Sequence, residues 1–289
     1  MINRDFVTAQ FKKYSSKYDI SMLKIQLKVE HTYRVADLCD RISDSLNLSP
    51  SDKDLAWLIG MLHDIARFEQ VRIYDSYNDA ETVDHAQFGA DLLFRGNTSE
   101  VSCGSGNAGE SDSEICSEET CRPNKSTRLI DDYVRAGELS EDDFKILELA
   151  IRNHNKYRVN PELTDRERMF ADIIRDADKI DIIKANTDFP IWEVYNVSEE
   201  EMRKSSVTAE VLEAFNEGHA VLRSLKKTPA DNIIGHVSLA YELVYPQSRK
   251  AIKELGYLDK LLAFRTENPE TELILREVKM RIYEFLDKE

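Results

Sequence analysis

The stretch Ala56-Trp-Leu-Ile-Gly-Met-Leu-His-Asp-Ile-Ala-Arg67 decides how this chain reads. An apolar run from Ala56 to Leu62 delivers a histidine and an aspartate, His63 and Asp64, to the inner end of a helix predicted over 52–67. An unpaired ionised group at such a place is costly, and a bound cation removes the cost. As a bare dipeptide the pair is a weak signal. Its weight comes from what flanks it.

Working outward, Leu23, Ile25, Leu27, Val35, Leu38, Ile42 and Leu46 recur at three- and four-residue spacing and predict a helix carrying His31. Leu48-Ser-Pro-Ser-Asp52 ends it and caps the next. Downstream come a polar loop at about 72–83, a helix at 84–95 with His85 in its first turn, and helices at 141–155 and 165–187 carrying His154 and Asp178. Further helical patterning lies at 128–136, 207–226, 230–244 and 270–287, with Pro229, Pro246 and Pro269 as punctuation. Sustained period-two alternation is absent, so the fold class is all-α. Residues 97–127, rich in Gly, Ser and acidic side chains, cannot offset their ordering entropy and read as a disordered insertion. The expected organisation is a single helical domain over 1–289, with 187–289 a C-terminal helical extension packed on the core.

Composition excludes several function classes. The 289 residues suffice for a sizeable core, and a net charge of −15 disfavours non-specific nucleic-acid binding and anionic membrane surfaces. No apolar run approaches the roughly 20 residues that span a bilayer, and the amphipathic N-terminus lacks a secretory pattern, so the expected location is cytoplasmic. Cys103, Cys116 and Cys121 lie in the polar segment with x12 and x4 spacings that suit neither a disulfide framework nor a regular zinc site.

The ordered series His31, His63-Asp64, Asp178, with Leu62-His-Asp-Ile-Ala66 and Arg175-Asp-Ala-Asp-Lys-Ile-Asp181 around its members, resembles the HD-domain superfamily of metal-dependent phosphohydrolases. The run from Leu62 to Phe94, the stretch Asn232–Arg249 and the closing helix at Asn268-Pro-Glu-Thr271 are similar to a group of bacterial HD proteins. The resemblance implies an HD-type helical bundle with a first metal on His31, His63, Asp64 and Asp178. It also implies a second metal on His85 and His154, with Asp64 bridging. Imidazole and carboxylate donors suit one or two divalent ions, Mn, Fe, Co, Ni, Zn or Mg. The implied activity is hydrolysis of a small phosphorylated metabolite or nucleotide by metal-activated water.

Phosphoryl transfer also needs positive charge near the metals. Arg34, Arg67, Lys156 and Lys179 are the substrate-binding candidates, with Arg67 and Lys179 joining Asp64 as catalytic candidates; Arg152 lies equally near in sequence. Asp176 and Glu69 are candidates to orient a ligand histidine or relay a proton. Tyr74, Tyr77 and Tyr157 read either as lining the entrance or as core. His85 and His154 read either as ligands or as polar helix-end residues, while His219 and His236 read as ordinary side chains. The same ligand series also resembles the di-iron oxygenases of the superfamily, and a nucleotide sensor without catalysis is a third class.

Overall fold

The computed structural model describes residues 1–95, 128–187, 191–195 and 197–288. The chain runs through α1 (Arg4–Ser15), α2 (Leu23–Ser45), α3 (Pro50–Leu62), α4 (Ile65–Tyr74), α5 (His85–Phe94), α6 (Glu141–Asn153) and α7 (Asp165–Ala185). It continues through α8 (Ile191–Val194), α9 (Glu199–Lys204), α10 (Ala209–Asn216), α11 (Pro229–Val237), α12 (Pro246–Leu255), α13 (Tyr257–Leu262) and α14 (Pro269–Leu286). No strand occurs among the described residues, in keeping with the all-α reading. None of their helices is long and apolar enough to cross a membrane. The predicted insertion at 97–127, with Cys103, Cys116 and Cys121, lies outside the described residues.

Helix starts follow local chemistry. Ser49 caps α3 through the amide of Asp52, with Pro50 in the first turn. Reciprocal capping boxes open α6 (Ser140 with Asp143), α7 (Thr164 with Glu167) and α11 (Thr228 with Asp231). On α2 the buried positions Ile25, His31, Thr32, Val35, Leu38, Cys39 and Ile42 form one stripe, so the periodicity that buries the helix also carries His31 inward. Helix α2 packs on α3 and α7, while α5 lies against α4 and α6. Helix α7 is buried along most of its circumference from Phe170 to Ile183, which places Asp178 deep in the molecule.

The sequence predicts one helix over 52–67, and here the structure differs. Helix α3 stops at Leu62, Asp64 leaves helical geometry at φ −105°, ψ 19°, and α4 begins at Ile65. Adjacent residues of an unbroken helix point about 100° apart. The break lets His63 and Asp64 face one centre. The pattern at 207–226 and 230–244 likewise resolves into shorter helices followed by 3₁₀ turns at Arg223–Leu225 and Ser238–Glu242.

Two contacts pin the frame. Asp176 is buried and accepts hydrogen bonds from the amides of Val244 and Tyr245, tying the C-terminal helices to α7. Gly60 sits where α3 crosses α2: a Cβ there would lie 2.7 Å from the Cα of Ala36 and 3.2 Å from Cys39 Sγ. Backbone cannot yield locally, so Gly60→Ala should destabilise the protein by about 1–3 kcal/mol. Urea denaturation measures it, and wild-type stability in the variant would contradict so close a crossing.

Candidate metal centre

Four imidazoles and two carboxylates converge at the break between α3 and α4. His31 comes from the middle of α2, His63 caps the end of α3, Asp64 opens α4, His85 opens α5, His154 caps the end of α6, and Asp178 lies on α7. Despite the long chain segment between them, His85 and His154 meet with Nε2 atoms 2.9 Å apart. The set brings together all six residues expected as ligands.

Each imidazole is oriented through Nδ1. That of His63 donates to the carbonyl of Gly60 (2.8 Å) and that of His154 to the carbonyl of Ile151 (2.7 Å). A carbonyl only accepts, so in both rings Nδ1 carries a proton and Nε2 is the nitrogen turned to the centre. Both residues thereby satisfy a carbonyl at the end of their own helix. The other two rings use carboxylates: His31 Nδ1 is 2.7 Å from Asp181 and His85 Nδ1 is 2.5 Å from Asp79. All four Nε2 atoms are left for the centre.

Asp64 divides that centre. Its Oδ2 lies 3.4 Å from His31 Nε2 and 3.6 Å from His63 Nε2, and Asp178 Oδ1 lies 3.2 Å and 3.7 Å from the same nitrogens. Its Oδ1 lies 3.4 Å from His85 Nε2 and 3.6 Å from His154 Nε2. Within each triad, His31–His63–Asp64 and Asp64–His85–His154, the ligand atoms lie within 4.8 Å of one another. Donors on one ion, with bonds of roughly 2.0–2.2 Å, stand roughly 3–4 Å apart, so both triads fit a metal.

The electrostatics agree. Burial opposes ionisation of Asp64, yet Lys28 and the imidazoles hold its carboxyl well below the usual range. Burial likewise opposes charge on Asp178, and His31 and His63 outweigh it. Burial and Lys28 work against a proton on His31, but Asp178, Asp181 and Asp64 raise its pKa to about 10. Positive charge is thus favoured where these atoms meet. Burial lowers His85 to about 4, which keeps it a neutral donor.

The remaining candidates divide by what they touch. Arg67 reaches Asp64 Oδ1 with Nε at 3.5 Å while Nη1 binds Gln70, the Tyr77 carbonyl and Asp79. Arg34 is engaged by Asp181 through Nε and Nη2. Lys156 pairs with Asp84 at the start of α5. Lys179 donates to the carbonyl of Arg175, and burial with nearby Arg175 lowers it to about 8. Arg152 is bound by Glu148, Gln87 and Asp91. Tyr77 lies on the loop beside the centre, whereas Tyr74 is exposed and Tyr157 donates to the carbonyl of Ala220. His236 stacks on Tyr195, and His219 pairs with Glu217. Two expectations fail. Asp176 is turned to the amides of Val244 and Tyr245, and Glu69 binds Arg72 and Tyr18, so neither touches a ligand histidine.

Asp181, Asp79 and Lys28 were missing from the sequence reading. Asp181 is three residues after Asp178 on one face of α7, a spacing that would have found it. Lys28 stands in the same relation to His31. Asp79 lies in an irregular loop with no periodic signal.

The protein-family model of the HD domain matches residues 29–252. A search of curated proteins and one of solved structures returned no match.

Asp181→Asn should weaken divalent-metal binding by about 10–100-fold, since partners that fix a ligand histidine carry that much of the affinity. Calorimetric titration of the metal-free protein measures it; an unchanged affinity would leave Asp181 with no part in the centre. An ion must also displace the His31 proton, held up to about pH 10. Affinity should therefore rise by about tenfold per pH unit between pH 7 and 9. Competition with a chelator across that range checks the slope.

Proposed function

The chain belongs to the HD-domain family, and from that premise we propose that it is a metal-dependent phosphohydrolase acting on a small phosphorylated metabolite or nucleotide. The observation that carries the reading is the bridging position of Asp64, with one oxygen toward His31 and His63 and the other toward His85 and His154. His31, His63, Asp64 and Asp178 would hold one ion, and Asp64, His85 and His154 a second. Divalent ions so held would supply an activated water and neutralise charge on the phosphoryl oxygens.

The chain's own groups do the rest. Asp181 and Asp79 fix the rings of His31 and His85, and backbone carbonyls fix those of His63 and His154. Arg67 is the substrate-binding candidate with the best geometry: its buried Nε has no hydrogen-bond partner and lies 3.5 Å from Asp64 Oδ1. A donor so placed is preorganised for a phosphoryl oxygen at the centre. Arg34 acts at one remove, by holding Asp181.

A panel of phosphorylated metabolites screened with Mn, Co, Ni, Fe and Mg, alongside metal analysis of the purified protein, tests the proposal. Hydrolysis should require the ion and fall to background in Asp64→Ala. Hydrolysis persisting in pure Asp64→Ala protein sinks the reading. Bound iron with dioxygen uptake and no phosphate release replaces it with the oxygenase reading.

A further inference from the structure

Lys28 lies one helical turn before His31 on α2 and places Nζ 2.6 Å from Asp64 Oδ2. That is the oxygen facing His31 and His63. The ammonium also lies over the ring of Tyr77, 5.4 Å from its centroid, and the Arg67 guanidinium lies 5.5 Å from the same centroid. Tyr77 is held at both ends: its hydroxyl donates to the carbonyl of Lys24, and its own carbonyl accepts from Arg67. One ring therefore braces two cations, one against each oxygen of the bridging carboxylate.

These cations differ in freedom. Arg67 Nη1 is tied to Gln70, Tyr77 and Asp79. Among the described residues the Lys28 ammonium has one charged partner, Asp64, and sits on a flexible four-carbon stem that is 18% exposed. An ion on His31, His63 and Asp64 would claim the same oxygen, and two positive charges sharing it repel. The lysine stem is flexible, whereas each imidazole is held through its Nδ1.

We propose that Lys28 is a substrate-binding residue, whose ammonium passes from Asp64 Oδ2 to a phosphoryl oxygen and, with Arg67, favours the dianion of a phosphomonoester over a diester. This rests on the phosphohydrolase reading. A terminal phosphate offers two negative charges and three free oxygens to a centre that presents two mobile or unpaired donors beside the ions it would hold. A diester offers one charge and fewer oxygens.

The test is orthophosphate binding to the full chain loaded with manganese, measured by calorimetry, so that no turnover is needed. In Lys28→Met, manganese should bind as tightly as in the wild type or more tightly, while phosphate affinity falls by about tenfold or more, the worth of a charge-assisted hydrogen bond. Lys28→Arg keeps the charge and should retain most of the phosphate affinity, which separates this role from a folding defect. Phosphate binding unchanged in Lys28→Met overturns the assignment. So does a parallel loss of manganese affinity in Lys28→Met, which would make Lys28 a support for Asp64. If the wild-type protein with manganese binds no phosphate, the phosphohydrolase reading fails and takes this one with it. If wild type and Lys28→Met bind phosphate equally, only the role of Lys28 falls.

Discussion

The carboxylate of Asp64, buried between two pairs of imidazoles, is the constraint on which the rest of the site depends. To stand there it must leave the helix that brings it, and the backbone does so between α3 and α4. The break leaves helix-end carbonyls without amide partners, and the His63 ring takes that of Gly60. The same local device recurs at the end of α6, where His154 takes the carbonyl of Ile151. Each half of the centre thus pairs a histidine anchored on a carbonyl of its own helix with one anchored on a carboxylate, Asp181 for His31 and Asp79 for His85. Helix termination and ligand orientation are one event.

The surrounding charges follow from burying so many carboxylates. Asp64, Asp79 and Asp181 are paired with Lys28, Arg67 and Arg34 respectively. Asp178 faces His31 and His63 directly. Buried charges are tolerated when paired and hydrogen-bonded, and here Arg67 and Arg34 also hold the carboxylates that orient His85 and His31, while Lys28 lies on Asp64 itself. Asp176 shows the other outcome. Only two residues before Asp178, it points to the far side of α7, where burial raises its pKa and two backbone amides hold it. Its work is structural, joining α7 to the segment before α12.

How much of this could be read beforehand depended on periodicity. His31 falls on the buried stripe of α2, and the order of the ligands along successive helices was visible in the sequence, so the fold class and the six converging residues were legible. The break at His63–Asp64 was not, because an apolar run continuing into Ile65 and Ala66 looks like one helix, and the turn is imposed by what the side chains must reach. Asp79 was hidden for a related reason: its position is set by the loop that Tyr77 and Arg67 hold, and that is tertiary structure. Asp176 misled because sequence proximity to a ligand says little about which face of a helix a residue takes.

The two halves of the centre are unequal, and the inequality bears on the chemistry. The half built on α2 and α7 offers His31, His63, Asp178 and one oxygen of Asp64, and its favoured positive charge is already evident in the raised pKa of His31. The other half offers His85, His154 and the second oxygen of Asp64, with His85 held neutral by burial. An ion in the first half would meet two carboxylates, and one in the second would share one. The second half would therefore neutralise less of an ion's charge within the protein and leave more of it to attract an anionic group from outside. Arg67 stands on that side, near Asp64 Oδ1. The cations are divided between the halves, Lys28 at Asp64 Oδ2 on the first and Arg67 near Oδ1 on the second, so in the proposed reaction a phosphoryl group would meet a positive side chain from either side of the bridging carboxylate.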